Sequence, residues 1–337
     1  MSKADNLFIS MCKDIIENGR STEGHKVRPK WDDGTPAHTI RRFGVINRYD
    51  LREEFPAITL RETAIKSAMD EILWIWQRKS NNVNDLKPHI WDEWADNKGS
   101  IGRAYGYQMG VKYYWADVNS EGLEKMYGEN WKSKVFGYSG TMITKAPESQ
   151  VFFKDSFKEP VVCSHLLSHL DTRYYYMDQV DKVIYDLINN PFSRRIMTNI
   201  FNFQDLPKMG LQPCAWGVTF NVSEDDEGLV LNTIVNQRSQ DVLLANNWNT
   251  VQYALLQMML AQVTGMRVGT MIHVIADAHI YDRHIPMVEE LISRETYPAP
   301  KVTLNPNIKD FYRFTTDDIT IENYQTGPQI KDIPVAV

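Results

Sequence analysis

Residues 215–239, AWGVTFNVSEDDEGLVLNTIVNQRS, decide the fold, because they hold two strand-like runs on either side of an acidic turn. Both runs are rich in β-branched residues, and the turn, EDDEG, is typical of a longer loop in a β-hairpin. An apolar pattern with helical spacing follows at 248–264 and stops at Gly265, a residue that often closes helices. A hairpin that leads into a helix departs from strict βαβ alternation, so the sequence favours the α+β class.

The rest of the chain predicts further helices and strands around this hairpin. Residues 4–19 and 62–78 space their apolar residues as helices do, and the second of these predicted helices is strongly apolar. Residues 194–203 form a strand-like run before the hairpin, and residues 271–284 predict a strand that runs into the start of a helix. The hairpin therefore has a further predicted strand on each side of it along the chain.

The segment at roughly 111–177 differs in character from the rest. It is rich in aromatic and turn-forming residues, and its hydrophobic periodicity is poor. A length of 337 residues is compatible with one large domain or two smaller ones. We predict a single domain over residues 1–337, with a small subdomain inserted at roughly 111–177.

The composition is that of an ordinary globular protein, and it argues against several classes. Hydrophobic residues make up 43% and charged residues 24%, and the formal net charge of -6 argues against a dedicated nucleic-acid partner, which usually binds a basic face. The sequence has no apolar stretch of about 18 residues, so we expect no membrane partner. Cys12, Cys163 and Cys214 are too few, and odd in number, for a disulfide framework, which favours a cytoplasmic location.

Common nucleotide and metal motifs are missing from the sequence. It has neither the G-x-x-x-x-G-K-[ST] phosphate loop, nor G-x-G-x-x-G after a strand, nor the G-x-S-x-G of serine hydrolases. The run CSHLLSH offers Cys163, His165 and His169 but no fourth ligand, and DAHIYDRH at 277–284 has the same weakness. The sequence therefore predicts no metal site.

Cys214 is either a catalytic nucleophile or a small buried core residue. An isolated cysteine is usually buried and inert, and reactivity requires nearby positive charge or hydrogen-bond donors that lower the pKa of the thiol. Arg238 could approach Cys214 if the two strands pair, and the doublet Arg194-Arg195 is a second source of positive charge. Arginine forks bind oxyanions through two hydrogen bonds, so the doublet could hold a phosphate; the alternative is a solvated strand end.

Three further groups of residues could bind or act on a flat heterocycle. Asp241 and Asn249 lie in RSQDVLLANNWN, where asparagine can match the adjacent acceptor and donor of uracil, or can cap the helix that follows. Glu71 lies in an apolar helix; if it faces inward, burial raises its pKa towards the range that suits proton transfer, and if it faces outward it is solvated. Trp91 and Trp94, in HIWDEW, could stack on a ring or pack in the core.

Taken in order along the chain, these stretches resemble the folate-dependent thymidylate synthases that use a cysteine nucleophile. The resemblance is carried by DGTPAHT, EILWIWQRKSNNVNDL, HIWDEW, GRAYGYQ, SRR, MGLQPC, QRSQDVLLANNWN, DAHIYDRH and the C-terminal PVAV. It covers nearly the whole chain apart from about residues 111–177, and the joint match is specific where no single motif would be. It implies the fold of that family, a mixed β-sheet packed with helices, and a homodimer joined through the sheets.

The resemblance also implies an activity, the reductive methylation of dUMP to dTMP. Cys214 would attack carbon 6 of the uracil, and the co-substrate 5,10-methylenetetrahydrofolate would supply the methylene and the hydride and leave as dihydrofolate, with no metal. The implied catalytic residues are Cys214, Glu71, Tyr105, Asp241 and Asn249. Those implied to bind dUMP are Arg28, Arg194, Arg195, Arg238, Ser239, Asn249, His279 and Tyr281, with Arg194 and Arg195 contributed by the other subunit. Those implied to line the folate site are Trp91, Trp94, Asp241, Leu244, Ala245 and Val337.

Three positions depart from the pattern of that family. Ala215 stands where many members have histidine, Thr219 where glutamine is usual, and Ala245 where glycine is usual. An imidazole at position 215 would bond near the carbonyl at carbon 4 of the base, and a water molecule can bridge in its place. The alternative activity is a dUMP hydroxymethylase, in which water and not hydride quenches the methylene. Trp91, which can shield that intermediate from water, favours the methyl product.

Overall fold

The computed structural model describes residues 2–115, 117–139 and 173–337, which divide into two compact units. The α-helices of these residues are α1 (Lys3–Asn18), α2 (Ile65–Trp76), α3 (Gly106–Gly110), α4 (Ser120–Tyr127), α5 (Gln179–Asn189), α6 (Asn246–Thr264) and α7 (Ile285–Ile292). The strands are β1 (Arg20–Ser21), β2 (Thr39–Asp50), β3 (Lys112–Trp115), β4 (Phe136–Ser139), β5 (Arg173–Asp178), β6 (Met197–Asn199), β7 (Ala215–Asp225), β8 (Gly228–Gln237), β9 (Gln240–Asp241), β10 (Arg267–Tyr281), β11 (Lys301–Leu304) and β12 (Ile319–Glu322). Short 3₁₀-helices lie at Val83–Asp85, Asp92–Trp94, Glu129–Ser133, Leu206–Lys208, Asp282–His284 and Phe311–Arg313.

The larger unit comprises Met1–Met109 and Met197–Val337, and the smaller unit comprises Gly110–Ile196. The insertion expected at roughly 111–177 remains a prediction; the smaller unit begins at Gly110 and extends beyond it to Ile196. The candidate metal ligands Cys163, His165 and His169 lie outside the described residues. None of the described helices is both long enough and apolar enough to span a bilayer.

A mixed sheet forms the centre of the larger unit. Among the described residues it has seven strands, in the order β1-β2-β10-β8-β7-β6, with β9 pairing to β10. Strand β10 runs parallel to β8 and β9, while the other neighbouring pairs are antiparallel. The predicted α+β class with a mixed sheet and packed helices is therefore confirmed.

The predicted hairpin is formed by β7 and β8, but its turn is tighter than expected. The strands pair as far as Asp225 opposite Gly228, so only two residues close the turn and not the whole acidic run EDDEG. Gly228 has φ of 112°, a backbone conformation that L side chains rarely adopt, and glycine permits it without strain. At the other end of the hairpin an irregularity lies between Ala215 and Gly217, next to Cys214.

The remaining predicted elements are present with altered bounds. The helices expected at 4–19, 62–78 and 248–264 correspond to α1, α2 and α6. The strand expected at 194–203 is confined to β6, because the chain beyond Ile200 leaves the sheet and continues as turns and a short 3₁₀-helix. The strand and helix start expected at 271–284 correspond to β10 and the 3₁₀-helix that follows it.

The hydrophobic core of the larger unit lies between one face of the sheet and the helices. Phe220 of β7, Leu231 of β8 and Met271 of β10 are buried on this face, and the ring of Phe220 meets Trp76 of α2 edge-on at 6.1 Å between ring centroids. Helices α2 and α6 pack against each other. Because α2 is buried over nearly its whole length, any polar side chain on it must find partners inside the protein.

The opposite face of the sheet leaves apolar side chains exposed. Strand register places Ile46 of β2, Ile234 of β8 and Met197 of β6 on this face. Their exposed fractions are 64%, 37% and 49%. Several large apolar side chains on one sheet face are typical of a surface that another protein covers.

The smaller unit contains its own small sheet and core. Strands β3, β5 and β4 form an antiparallel sheet, and helices α4 and α5 pack against each other. Its buried core includes Leu123, Trp131 and Tyr175, and the rings of Trp131 and Tyr175 lie 5.8 Å apart. The aromatic richness noted in the sequence is thus used in part to build this core.

Candidate active site

Cys214 lies immediately before β7, where the hairpin brings it against Arg238 at the end of β8. The backbone N–H of Arg238 donates to the Cys214 carbonyl at 2.9 Å, and Nη2 of the guanidinium lies 3.8 Å from the thiol Sγ. The same side chain donates to the backbone carbonyls of Pro213 (2.9 Å) and Gln212 (2.8 Å). Strand pairing therefore places the arginine as the sequence suggested, and three hydrogen bonds to backbone carbonyls hold it against the loop of Cys214.

The Cys214 thiol is half-buried, and its protonation reflects two opposing influences. Burial raises its pKa above the ordinary value, while the Arg238 guanidinium, the Tyr105 hydroxyl and the charge of Arg28 lower it. Burial has the larger effect, so the thiol is protonated at neutral pH and its proton must be lost before it acts as a nucleophile. The surrounding cations stabilise the thiolate once it forms.

Tyr105 reaches Cys214 from a strained stretch of backbone. Its φ of 44° is rare for a residue with a side chain, and such strain is often found at functional sites. The hydroxyl accepts a hydrogen bond from the Cys214 backbone N–H at 3.1 Å, so its own proton can point towards Sγ. Burial raises the pKa of Tyr105 well above its ordinary value, which keeps this hydroxyl protonated at neutral pH.

Glu71 faces inward from α2 and is almost completely buried, with 4% of its surface exposed. Burial raises the pKa of its carboxyl, and hydrogen bonds from Trp248 and Trp91 lower it. The indole N–H of Trp91 donates to Oε1 at 2.8 Å, and that of Trp248 donates to Oε2. Both carboxyl oxygens thus accept hydrogen bonds from tryptophans. Of the two orientations that the sequence left open for Glu71, the structure shows the inward one.

Two residues near this carboxyl were not singled out as site residues from the sequence. Trp248 lies in the quoted run RSQDVLLANNWN, and its indole N–H, a donor that needs a partner when it is buried, was the only signal for a polar contact. Tyr253 of α6 is fully buried, and its pKa is raised by burial and then by the charges of Glu71 and Cys214. Both residues lie on α6, so the packing of α6 on α2 builds the surroundings of Glu71.

Trp91 and Trp94 lie at the two ends of one turn of 3₁₀-helix and differ in burial. Trp91 is buried, and its ring lies 4.7 Å from that of Tyr105 and 6.0 Å from that of Trp74. Trp94 is half-buried, 5.7 Å from Trp91. The pair therefore connects Tyr105 and Glu71 to a partly exposed aromatic surface.

Asn249 lies on the first turn of α6, where its side-chain amide contacts two other amides. Gln237 Nε2 donates to Asn249 Oδ1 at 3.2 Å, and Asn249 Nδ2 donates to Gln252 Oε1 at 3.3 Å. The residue that caps α6 is Ala245, and no side-chain hydrogen bond caps this helix. Asn249 is therefore not the helix cap that the sequence left open as its alternative role.

Asp241 lies on β9 and holds the loop that leads into α6. Its Oδ1 accepts from the backbone N–H of Leu244 at 3.0 Å, and its backbone carbonyl accepts from Ala245 at 3.0 Å. Its second oxygen, Oδ2, lies 3.8 Å from Nδ1 of the buried His284, beyond hydrogen-bond distance. This leaves a half-buried carboxylate oxygen that can accept a hydrogen bond from a bound molecule.

His279 and Tyr281 lie at the end of β10, close to the exposed Arg28. Nδ1 of His279 pairs with Asp277 Oδ1 at 2.9 Å, and its ring lies 5.2 Å from that of Tyr281. Burial raises the pKa of Tyr281 to about 12, and the charge of Arg28 lowers it. Arg28 thus acts electrostatically on both Tyr281 and Cys214.

The C-terminal residues are tied to the segment that carries Arg28. The backbone N–H and carbonyl of Val337 pair with those of Lys30 at 3.0 and 2.8 Å. A second tie comes from Nε2 of His284, which donates to the Pro334 carbonyl at 2.8 Å. The C-terminal residues are therefore held near Arg28 by main-chain bonds to Lys30, and they are held further by the His284 side chain.

Several of the predicted residues are placed without a direct contact that assigns a role. Ser239 directly follows Arg238 and is half-buried, and Ala215 is buried opposite Gln237 in the hairpin. Arg194 and Arg195 belong to the smaller unit, where both are exposed, and their expected role remains a prediction. Within the described ranges, no group of three or more His, Cys, Asp or Glu residues could hold a metal ion.

Comparison with known proteins identifies what the chain is similar to. The family model described as thymidylate synthase matches residues 6–337. The chain is 37% identical to "Thymidylate synthase" of Bacillus subtilis subsp. natto and 36% identical to that of Bacillus phage phi3T, each over 334 residues that cover 98% of both chains. Among solved structures, thermostable thymidylate synthase A from Bacillus subtilis aligns with a TM-score of 0.75 at 36% identity, covering 99% of each chain.

Proposed function

This chain belongs to the thymidylate synthase family, and on that premise we propose that it methylates dUMP to dTMP with 5,10-methylenetetrahydrofolate as co-substrate, giving dihydrofolate. It is a methyltransferase. The observation that carries the proposal is the placement of the Arg238 guanidinium 3.8 Å from the Cys214 thiol, with Tyr105 on the same cysteine. This arrangement supplies a nucleophile together with the donors that stabilise its anion.

In the proposed mechanism, the Cys214 thiolate forms a bond to carbon 6 of the uracil, and the displaced electron pair makes carbon 5 nucleophilic. Methylenetetrahydrofolate supplies the one-carbon group that carbon 5 acquires and the hydride that completes the methyl group. The Tyr105 hydroxyl assists removal of the proton from carbon 5. As this proton leaves, the bond between the one-carbon group and the folate nitrogen breaks, and an exocyclic methylene remains on carbon 5. The hydride then adds to this methylene while Cys214 leaves carbon 6, which restores the double bond of the ring.

Substrate binding is assigned to residues on both sides of the thiol. We propose that Arg28, Arg238 and Ser239 bind the phosphate, since Arg238 and Arg28 are the cations that act on Cys214. His279 and Tyr281 bind the deoxyribose hydroxyl, and Asn249 binds the edge of the uracil. Forked guanidinium donors suit a phosphate dianion, whose charge offsets the repulsion between neighbouring arginines.

The proposed folate site fits a flat ring that carries hydrogen-bond donors. Trp94 offers a half-buried aromatic surface beside Trp91, and the Oδ2 atom of Asp241 can accept from a ring N–H. Leu244 and Ala245 follow Asp241 at the start of α6, and we assign them to the same site. We propose that Val337, whose backbone pairs with that of Lys30, closes over bound ligands.

Glu71 is proposed to organise water and proton transfers at the base, and Trp248 to keep it ionised. Trp248→Phe removes an N–H donor from the carboxylate, which disfavours the charged form and raises the pKa of Glu71 further. The acidic limb of the kcat/KM profile for dUMP should therefore move to higher pH, and kcat should fall roughly 10- to 100-fold.

Trp131→Phe, which removes a buried indole from the smaller unit, is the matched control and should leave the profile in place. An acidic limb that stays at the wild-type pH in Trp248→Phe would contradict the role of this indole.

We propose a homodimer joined through the open sheet face that carries Ile46, Ile234 and Met197. The exposure of these apolar residues supports the proposal, and Arg194 and Arg195 are exposed as well. In this arrangement both arginines bind the phosphate in the partner's site.

Mixing an inactive Cys214→Ser protein with an inactive Arg194→Ala/Arg195→Ala protein should restore activity. Random exchange of subunits leaves about a quarter of the sites complete. If activity stays at the level of the separate variants after subunit exchange, the shared site is excluded.

We place the enzyme in the cytoplasm, since Cys12 and Cys214 are both free thiols. Cell fractionation should recover the activity with the cytoplasmic contents, and recovery from an oxidising compartment would contradict this.

The hydroxymethylase alternative is not favoured, because the matching relatives are named for thymidylate synthesis. The test is direct: purified protein with dUMP and methylenetetrahydrofolate should produce dihydrofolate, followed by its absorbance, in step with loss of dUMP. Loss of dUMP without dihydrofolate would contradict the proposed function.

A further inference from the structure

A chain of side-chain hydrogen bonds runs from the sheet core to Asn249. It starts at His273 of β10, whose Nε2 lies 2.7 Å from Oε1 of Gln237 on β8. Gln237 Nε2 donates to Asn249 Oδ1, and Asn249 Nδ2 donates in turn to Gln252 Oε1. His273, Gln237 and Gln252 are each at most 3% exposed, so these bonds form away from bulk water.

A backbone carbonyl fixes the direction of this chain. Gln237 Nε2 also donates to the Ser239 carbonyl at 3.0 Å, and a carbonyl can only accept. The nitrogen of the Gln237 amide therefore faces Ser239 and Asn249, and its oxygen faces His273. It follows that His273 carries its proton on Nε2 and is the donor to Gln237.

The His273 ring is held in this single form by its surroundings. Its other nitrogen, Nδ1, is buried without a hydrogen-bond partner, as suits the unprotonated atom of a neutral ring. Burial lowers the pKa of His273 to about 4, so the ring stays neutral at physiological pH. The donor at the start of the chain is thus constant under working conditions.

The same bonds determine which atoms Asn249 can offer to a base. Its Oδ1 already accepts from Gln237 and its Nδ2 already donates to Gln252, which leaves one acceptor site and one N–H. Uracil presents a donor at N3 and an acceptor at O4, and cytosine presents the reverse at N3 and N4. An amide that rotates freely can match either base, because a half-turn exchanges its oxygen and nitrogen.

We propose that His273 is a positioning residue that locks the Asn249 amide through Gln237, and that this lock makes the enzyme select dUMP over dCMP. The inference rests on the proposed function, in which Asn249 binds the uracil edge. With the lock in place, cytosine meets an acceptor opposite its N3 and a donor opposite its amino group, so it cannot pair without breaking the chain. His273 itself does not touch the nucleotide.

The test compares the binding of dUMP and dCMP by titration calorimetry in three proteins. His273→Phe keeps a ring but removes the donor, so the ratio of the dCMP to the dUMP dissociation constant should fall about tenfold from the wild-type ratio. His273→Gln restores an N–H donor of similar reach and should keep that ratio within about twofold. If His273 has a purely structural role, His273→Phe should weaken the binding of dUMP and dCMP by the same factor. An unchanged ratio of the two dissociation constants would therefore overturn the proposal.

A second variant tests the same inference if His273→Phe alone does not fold. His273→Phe combined with Gln237→Met replaces both hydrogen-bond partners by apolar side chains, an exchange that is often nearly neutral for stability. Asn249 is then unlocked, and the ratio should again fall about tenfold. A double variant with a wild-type circular dichroism spectrum and a wild-type ratio would overturn the inference. Formation of dTMP by the wild-type protein is measured first, so that a failure of the proposed function can be distinguished from a failure of this inference.

Discussion

Cys214→Ser should reduce dTMP formation by roughly four orders of magnitude or more, while dUMP still binds. A serine hydroxyl is a far weaker nucleophile than a thiolate at neutral pH, and the Arg238 guanidinium beside it cannot make it an anion. The phosphate, sugar and base contacts proposed here do not use the sulfur, so the dissociation constant for dUMP should change by no more than about threefold.

The measurements are single-turnover formation of dTMP and titration calorimetry with dUMP. Cys12→Ala is the control, since Cys12 is the other free cysteine among the described residues and is buried in α1. Cys12→Ala should retain wild-type turnover, although the loss of a buried side chain should lower its stability modestly. Sustained turnover by Cys214→Ser would show that the nucleophile is elsewhere.

Asn249→Asp should reverse the base preference, with kcat/KM for dUMP falling by roughly 10⁴-fold. An ionised aspartate only accepts hydrogen bonds, so its carboxylate repels O4 of uracil. The Gln237 amide, which donates to Asn249 Oδ1 in the wild type, can still donate to one oxygen of this carboxylate. Cytosine presents an amino group at that position, and dCMP should bind in place of dUMP.

Competition between dUMP and dCMP in one reaction measures this preference directly. Asn307→Asp adds the same charge at an exposed position between β11 and β12, outside the sheet, and should leave the preference as it is. Should Asn249→Asp still choose dUMP over dCMP as strongly as the wild type, Asn249 would have no part in reading the base.

The sequence predicted much of the fold because the decisive signals are local. The alternation in β7 and β8 and the apolar spacing of α6 are visible within a few residues, and all three elements are present. The turn between the strands was predicted too long, since the acidic residues that resemble a loop continue the pairing up to Asp225. Gly228 follows this turn with a positive φ, and a sequence does not reveal which of its glycines adopt that conformation.

The site was less predictable wherever a role depends on contacts between distant segments. Glu71 could face either way on its helix until the packing of α6 against α2 brought Trp248 to its carboxylate. His273 carried no signal at all, because its link to Asn249 requires β10 to lie parallel to β8 in one register. The local sequence pattern indicates which residues are proposed to react, whereas the residues that support them are brought together by the topology.

Departures from the family pattern fall close to these supports. Ala215, where a histidine is common, is buried opposite Gln237, so the position pairs with a member of the amide chain. Trp248 of α6 donates its N–H to the buried carboxylate of Glu71. The residues proposed to bind the base are therefore supported by amides and indoles fixed by the core, with no imidazole at position 215.

The central claim is that Cys214 and its surroundings methylate carbon 5 of dUMP, and mass spectrometry of the nucleotide product tests it most directly. Purified protein is incubated with dUMP and methylenetetrahydrofolate, and the product is separated and weighed while dihydrofolate is followed by absorbance. We predict a nucleotide with the mass of dTMP, formed in step with dihydrofolate. A product heavier than dTMP by one oxygen, or unchanged dUMP, would contradict the account.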